Sequence, residues 1–269
     1  MMSIDLVLVL YAKKRLTSTV GIVKRLTRVI NLRRIIIVIN GEQINPRYAN
    51  SLFSYYCENC TVIQHDNTGL EFGAYQAGVN CLNNDSLERI ILMNDTVGSH
   101  QYYSMIHLGQ FCRAISVSGD RISNFVTGHV DVHERHIDIN GSFGIRWVRS
   151  NLVGLDKEAV AKLGGKIYDP SIDNLISESD DLDTFFGPSL DGSVKLKIAD
   201  WLFSTSPGKW YNAQPLSAVN SAMMAGKARS FLQEQYLSMR LEAVGAAFFV
   251  PRITFIEQCI HKGLEIMGI

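Results

Sequence analysis

From Val62 to Gly78 the chain reads VIQHDNTGLEFGAYQAG. An apolar strand ends in an Asp66-Asn67-x-Gly69 turn, and a helix bearing Gly73, Ala74, Ala77 and Gly78 follows. Asp and Asn hydrogen-bond their own backbone and tolerate left-handed conformations, so such a turn gathers polar groups at the end of a strand. Small residues on the next helix let it lie close to a strand or a ligand. The next apolar run stops at Asn94-Asp95-Thr96, a lone carboxylate between two neutral hydrogen-bonding side chains. Such a triplet is either part of a ligand site or a strand-terminating Asx turn.

Other residue types with chemical potential are scattered. His129, His133 and His136 lie close together, but His133-Glu134-Arg135-His136 is one residue short of the H-E-x-x-H zinc spacing. On a strand His129 and His133 share a face and His136 does not. That leaves single-histidine roles, as ligand or donor. Cys57-x-x-Cys60 has no second cysteine pair or matching histidine pair, so two buried thiols are expected there. Trp147, Trp201, Trp210 and Tyr211 are either core aromatics or faces on which a sugar can stack.

These groups need a scaffold. Ile4–Tyr11, Arg34–Ile39, Thr61–Gln64 and Arg89–Met93 are short, apolar and β-branched, hence buried strands. Helical patterns separate them at Thr17–Val29, Pro46–Cys57 and Phe72–Leu82. The alternation predicts βαβ units and a parallel sheet covered on both faces. Ligands bind such sheets at the carboxyl ends of the strands, here Tyr11–Lys14, Asn40–Asn45, His65–Glu71 and Asn94–His100. Beyond residue 100 the pattern predicts a helix over Tyr102–Ile115, short strands and turns over 122–149, and helices at Leu155–Leu163, Leu196–Phe203, Ala213–Ala225, Ala228–Val244 and Thr254–Met267.

The chain has 269 residues, 46% hydrophobic and 19% charged, which suits one sizeable core. Lys+Arg and Asp+Glu are 26 each, and this balance speaks against a nucleic-acid partner. The charge is nevertheless segregated. Residues 6–41 carry eight basic side chains and no acidic one, and residues 167–194 carry seven acidic and no basic ones. These are either solvated faces or patches for an anionic surface and for acid–base or metal work. No apolar run reaches the roughly 20 residues needed to cross a bilayer, the start reads as a strand, and five sparse cysteines suit a reducing compartment, so a cytoplasmic location is expected. Neither a G-x-G-x-x-G after the first strand nor a P-loop is present, which turns the reading away from dinucleotide and P-loop chemistry.

The segment Asn67-Thr-Gly69-Leu-Glu71-Phe72-Gly73-Ala74-Tyr75-Gln-Ala-Gly78, followed by Met93-Asn94-Asp95-Thr96, resembles the GT-A-fold glycosyltransferases, family 2 above all. It is most similar to the bacterial rhamnan-synthesis F-type proteins of polysaccharide assembly. The resemblance covers residues 60–98 well and the first strands generally. It implies an α/β GT-A (Rossmann-like) fold, with a mostly parallel sheet flanked by helices and a helical C-terminal region. Residues 1–120 would form the nucleotide-sugar half, 121–212 the acceptor side and 213–269 the C-terminal helices.

The implied donor is a nucleoside-diphosphate sugar. Tyr11, Asn40, Gly41 and Glu42 would frame its base, Asp66 and Asn67 would touch base or ribose beside Gly69 and Gly73, and Asn94, Asp95 and Thr96 would lie by the diphosphate. Family members hold a divalent cation, Mn or Mg, on two aspartates at that point. Here only Asp95 is available as a metal ligand, and a metal-free site with cationic side chains is the alternative. The implied reaction is an inverting transfer in bacterial surface polysaccharide synthesis, to a hydroxyl of a glycan or lipid-linked acceptor. Its base would come from the acidic run, Asp181 or Asp180, with Asp138 and Asp200 as rivals. Peripheral membrane contact would use Lys24, Arg25, Arg28 and the Arg33-Arg34 pair, and the C-terminal helices would dock there or form a homo-oligomer. A non-catalytic nucleotide- or glycan-binding module on the same scaffold is the competing reading.

Overall fold

The computed structural model describes residues 4–41, 44–82, 87–98, 103–121, 123–206 and 210–251, with positions 259 and 263. Glu42 and the closing helix expected at 254–267 lie outside these residues.

The first half alternates strand and helix as its periodicity predicts. Strand β1 (Ile4–Leu10) leads through a 3-10 turn (Lys13–Arg15) into α1 (Leu16–Thr27). Then come β2 (Leu32–Asn40), α2 (Pro46–Phe53), β3 (Cys60–His65), α3 (Leu70–Asn80) and β4 (Arg89–Asn94). Helix α2 starts where Pro46 follows Asn45, whose side chain accepts the backbone N–H groups of Arg47 and Tyr48. After α4 (Met105–Arg121), β5 (Phe125–Ile139) and β6 (Ser142–Asp156) form a long antiparallel hairpin. Helices α5 (Lys157–Lys162), α6 (Pro170–Asp173), α7 (Leu182–Phe185), α8 (Gly192–Phe203) and α9 (Ser221–Ala243) follow, and β7 (Ala247–Phe249) returns to the sheet.

The sheet order is β3-β2-β1-β4-β6-β5-β7, with β6 antiparallel to both of its neighbours and every other pairing parallel. This is the mostly parallel, helix-flanked Rossmann-like α/β architecture expected of a GT-A chain. Alternation along β1 feeds two cores. Leu6, Leu8 and Leu10 pack under α1 and α4, and Val7 and Val9 pack under α3 and α5. A third core joins α6 to α9 with the far end of the hairpin, around Ile139, Phe185, Ile198 and Leu232.

Three expectations change. The short strands expected over 122–149 are instead two strands of 15 residues each, turned at Asn140-Gly141, where φ is 53° and 77°. Asn-Gly is the sequence mark of a tight hairpin, because both residues accept positive φ. In place of the two helices expected at 213–225 and 228–244 stands the single helix α9, which starts only at Ser221 after an irregular 213–220 stretch and whose buried face (Met224, Ala225, Ala228, Leu232) runs uninterrupted past Gly226. An interior glycine costs about 1 kcal/mol against alanine, too little to break a helix packed along its length. Finally, the Arg33-Arg34 pair, with side chains 27% and 22% exposed, is not a free basic patch but is tied to a partner within the sheet. Both guanidiniums grip the fully buried Asp5, with Arg33 Nε at 2.9 Å and Arg34 Nη2 at 2.8 Å.

Candidate active site

A cleft of about 670 Å³ opens where β1 and β4 end, between the β5–β6 hairpin and helices α8 and α9. Its floor on the strand side is built by the β4 triplet. Asp95 is wholly buried, and its carboxylate accepts the N–H groups of Tyr11 and Ala12, both at 2.8 Å, and Arg15 Nη1 at 3.0 Å. It clasps the β1–α1 junction to the end of β4 and points Arg15 along the cleft wall. Asn94 Oδ1 accepts the backbone N–H of Thr96 at 3.1 Å and the Thr96 hydroxyl, closing an Asx turn. Among the described residues the Asn94 amide nitrogen has no hydrogen-bond partner, and the residue lines the cleft.

The ends of β2 and β3 support this floor from behind. Asn40 donates to the Leu70 carbonyl at 3.0 Å and accepts His65 Nδ1 at 2.9 Å. Gly41, at φ 109°, donates its N–H to the His65 carbonyl. The Tyr11 hydroxyl is buried beside Asn40, with no partner at hydrogen-bond distance among the described residues. Burial, then Glu71, pushes its pKa well up, so it stays a proton donor. In the 66–70 turn, exposed Asp66 accepts the Thr68 N–H at 2.9 Å, and Asn67, Gly69 and Leu70 all take positive φ. A β-carbon at Gly69 would lie 2.5 Å from the Tyr168 ring, and one at Gly73 would lie 1.9 Å from the Thr68 carbonyl oxygen. Both positions therefore require glycine.

Two glutamates face each other across Ser150. Glu71, from the first turn of α3, accepts the Ser230 hydroxyl at 2.5 Å and the Ser150 hydroxyl at 3.4 Å. Glu234, from α9, accepts the Ser150 backbone N–H at 2.6 Å. Among the described residues one oxygen of each carboxylate has no hydrogen-bond partner, and both residues line the cleft. Burial raises the Glu234 pKa; Ser150 and Lys227 work against that, and the Glu71 charge adds to it.

The hairpin supplies the next wall. Arg149 binds Asp131 bidentately at 2.6 and 3.1 Å, and His129 lies 3.5 Å from the same carboxylate. Burial opposes ionisation of Asp131, but bonds from His129 and Arg149 prevail and hold its pKa well below the usual range. Lys197 donates to His133 Nδ1 at 2.8 Å and sits 4.3 Å over the Trp147 ring, which also stacks on His133 at 4.2 Å. Trp147, Trp201 and Trp210, the three tryptophans of the chain, all line the cleft. Trp201 packs on Phe231 at 5.3 Å and carries Lys227 over its face at 5.5 Å.

The site residues expected from sequence divide into three groups. Tyr11, Asn94 and Thr96 line the cleft; Asn40, Gly41 and Asp95 support it from beneath; Asn67 and Gly69 line a separate cavity of about 330 Å³ with Asp173, Glu178 and Arg229. The expected bases are not brought to the cleft. Asp181 caps α7, Asp180 lies beside it in the same exposed run, and Asp138 accepts the Gly141 N–H in the distant hairpin turn. The acidic run caps local helices there, as Asp181 does for α7. Glu71, Glu234, Arg15, Asp131, Arg149 and Lys227 stand in the cleft without having been singled out as site residues. Glu71 lay inside the quoted motif. Nothing local marks Glu234, which reaches the site only through the packing of α9 on β6 and α3.

A two-aspartate cation site does not fit here. Both Asp95 oxygens and the Asn94 oxygen are engaged, and among the described residues no three His, Cys, Asp or Glu side chains converge. No helix among the described residues is long and apolar enough to cross a membrane.

No protein-family profile and no curated protein matches the chain. Among solved structures it is similar to a 4-diphosphocytidyl-2C-methyl-D-erythritol synthase, at 13% identity over 60% of this chain and 84% of that one, with a TM-score of 0.36. It is similar to HddC from Yersinia pseudotuberculosis at 13% identity, over 57% and 76% of the two chains, with a TM-score of 0.32. Mouse xyloside xylosyltransferase 1 in its apo form matches 98% of this chain and 92% of its own at 12% identity, with a TM-score of 0.34. Likenesses this distant carry no functional argument, so the functional reading rests on the cleft.

Proposed function

We propose that the chain is a glycosyltransferase that uses a nucleoside-diphosphate sugar. The observation that carries this reading is one cleft that joins Glu71 and Glu234, each with an oxygen that has no hydrogen-bond partner among the described residues, to a wall of three tryptophans at the carboxyl ends of β1 and β4. Strand ends of such a sheet are where a nucleotide binds. The Tyr11 hydroxyl offers a donor to base or ribose, and Arg15 and Asn94 face the diphosphate position. The tryptophan faces suit the apolar face of an acceptor sugar.

In the reaction, the acceptor hydroxyl oxygen attacks the anomeric carbon and its proton passes to Glu234. The bond from the anomeric carbon to the diphosphate oxygen breaks, and its electron pair leaves with the nucleoside diphosphate. A carboxylate whose pKa burial has raised is the better proton acceptor near neutral pH. Attack from the side opposite the leaving group makes the transfer inverting. From the resemblance of residues 67–78 and 93–96 we assign the acceptor to bacterial surface polysaccharide synthesis, as a glycan or lipid-linked hydroxyl. Lys13, Lys14, Lys24 and Arg28, which remain exposed, are the basic residues left for contact with an anionic membrane.

The test is a panel of UDP-, GDP-, CDP- and dTDP-sugars, scored for release of the nucleoside diphosphate with and without glycan acceptors. One donor is expected to turn over in the wild type and not in Glu234→Gln. Binding of a nucleotide sugar with no turnover toward any acceptor would replace the enzyme with a binding module.

A further inference from the structure

We infer that the site holds its nucleoside diphosphate through protein donors, with Asp95 positioning one of them and not holding a divalent cation. The inference rests on the glycosyl-transfer reading and concerns how the same site meets the diphosphate charge.

A cation at Asp95 needs a carboxylate lone pair directed at the ligand. Asp95 is 0% exposed, and its oxygens are occupied by two backbone N–H groups and a guanidinium. Turning it toward a metal would strand the part-buried N–H groups of Tyr11 and Ala12 without their acceptor. It would also place a dication beside Arg15. Asn94 offers no oxygen in exchange, because Thr96 holds Oδ1 through both its N–H and its hydroxyl. Among the cleft acids, Asp131 is bound bidentately by Arg149, and Glu71 and Glu234, each with one oxygen bound by Ser150 or Ser230, do not converge with a third His, Cys, Asp or Glu side chain among the described residues.

The same bonds prepare donors. With Oδ1 fixed by Thr96, the Asn94 amide nitrogen is the atom left to donate into the cleft. Asp95 fixes Arg15 at 3.0 Å while its side chain stays 19% exposed on the cleft wall. Lys227 projects from α9 on the Trp201 face, and among the described residues no carboxylate lies within ion-pair distance of its ammonium. Guanidinium and ammonium groups are charge-matched to phosphate oxygens, a neutral amide N–H donates to them as well, and none of these contacts needs a metal bridge. The triplet thus splits its duties: Thr96 orients Asn94, Asn94 donates, and Asp95 positions Arg15.

The experiment uses the full chain with UDP, GDP, CDP and dTDP and the matching nucleosides, first in excess EDTA and then in millimolar Mn²⁺ or Mg²⁺, read by calorimetry. One nucleoside diphosphate is expected to bind in EDTA, with Kd changed by less than about threefold on adding metal. Lys227→Met is expected to weaken the diphosphate by ~10-fold, the loss of one charge-assisted bond, and to leave nucleoside binding unchanged. A merely structural effect would move both ligands together. Binding that requires metal, or tightens by about tenfold or more with it, would overturn the inference and leave glycosyl transfer standing. Absence of nucleotide binding in every condition would overturn the glycosyl-transfer reading itself, and the inference with it.

Discussion

Glu71 and Glu234 are joined through Ser150, which gives its backbone N–H to Glu234 at 2.6 Å and its hydroxyl to Glu71 at 3.4 Å. The two carboxylates come from helices far apart in sequence, and each keeps one oxygen without a hydrogen-bond partner among the described residues. Glu234→Gln keeps an oxygen to accept the Ser150 N–H and removes the proton acceptor. Transfer should fall by ~10²–10⁴-fold, with nucleotide affinity and melting temperature nearly unchanged. Initial rates with saturating donor, set beside a calorimetric Kd, check this; a variant retaining half the wild-type rate would remove Glu234 from the mechanism.

The pH profile should carry the signature of the same pair. A base acts when ionised, so the rate should climb with pH through the raised Glu234 pKa. Glu71 contributes to that elevation, so Glu71→Gln should move the acid limb to lower pH. A limb that stays in place in that variant, or moves up, would show that the two groups do not interact during turnover.

Truncation of the aromatic wall should act on the acceptor and spare the donor. Trp210→Ala removes a ring that lines the cleft and packs on Trp201 at 6.1 Å and on Tyr211 at 5.7 Å. An aromatic face contributes about 0.5–1.5 kcal/mol beyond its buried area, so the acceptor KM should rise by roughly 3- to 10-fold. Donor KM is the control. Equal rises in both would mean that the tryptophan supports the cleft as a whole.

The sheet was legible in the sequence because a buried parallel strand must be a short apolar run and each crossover an amphipathic helix. The 66–70 turn was legible for a related reason: positive φ at Asn67 and Gly69, and the contact of Gly73 with Thr68, tie residue type to backbone geometry within a few positions. The hairpin was missed although its Asn140-Gly141 turn was in view, since its long strands mix polar and apolar residues, with Asp131 and Arg149 facing the cleft. The proton acceptor was sought in the carboxylate-rich run around Asp181, where local density is high. In the structure that run caps helices, and the cleft is served by isolated glutamates. Glu234 lies on a helix whose neighbours in sequence say nothing about Ser150 or Glu71, because tertiary packing alone brings them together.

Glycines separate turn geometry from general stability. Gly73→Ala would place a β-carbon 1.9 Å from the Thr68 carbonyl oxygen, a backbone atom that cannot rotate away. The turn must open, at about 1–3 kcal/mol or more, and nucleotide affinity should fall with the melting temperature. Gly21→Ala, in α1 with nothing within 4 Å of the new carbon, should instead stabilise by about 0.5–1 kcal/mol. Equal melting temperatures for the two variants would contradict the packing at the 68–73 turn.

The His133–Lys197 contact predicts a stability change in a defined pH window. Lys197 donates to Nδ1, so the imidazole must be neutral, and burial followed by the Lys197 charge pushes its pKa from 6.5 down to about 4. Between these values the unfolded chain binds a proton that the folded chain refuses, so stability rises with pH and falls on acidification. The full cost is about 3 kcal/mol at the acid end of the window. Asp131 has the opposite chemistry, an acid held ionised: its stabilisation is present above the ordinary carboxylate pKa and is lost only below it. The two windows therefore do not overlap. His133→Asn retains an acceptor for Lys197 and removes the titration. Urea midpoints from about pH 7 to about pH 4.5 should slope less steeply in the variant, by up to ~1.4 kcal/mol per pH unit. An unchanged slope would mean that His133 takes up its proton in the folded state, which the donated bond from Lys197 forbids.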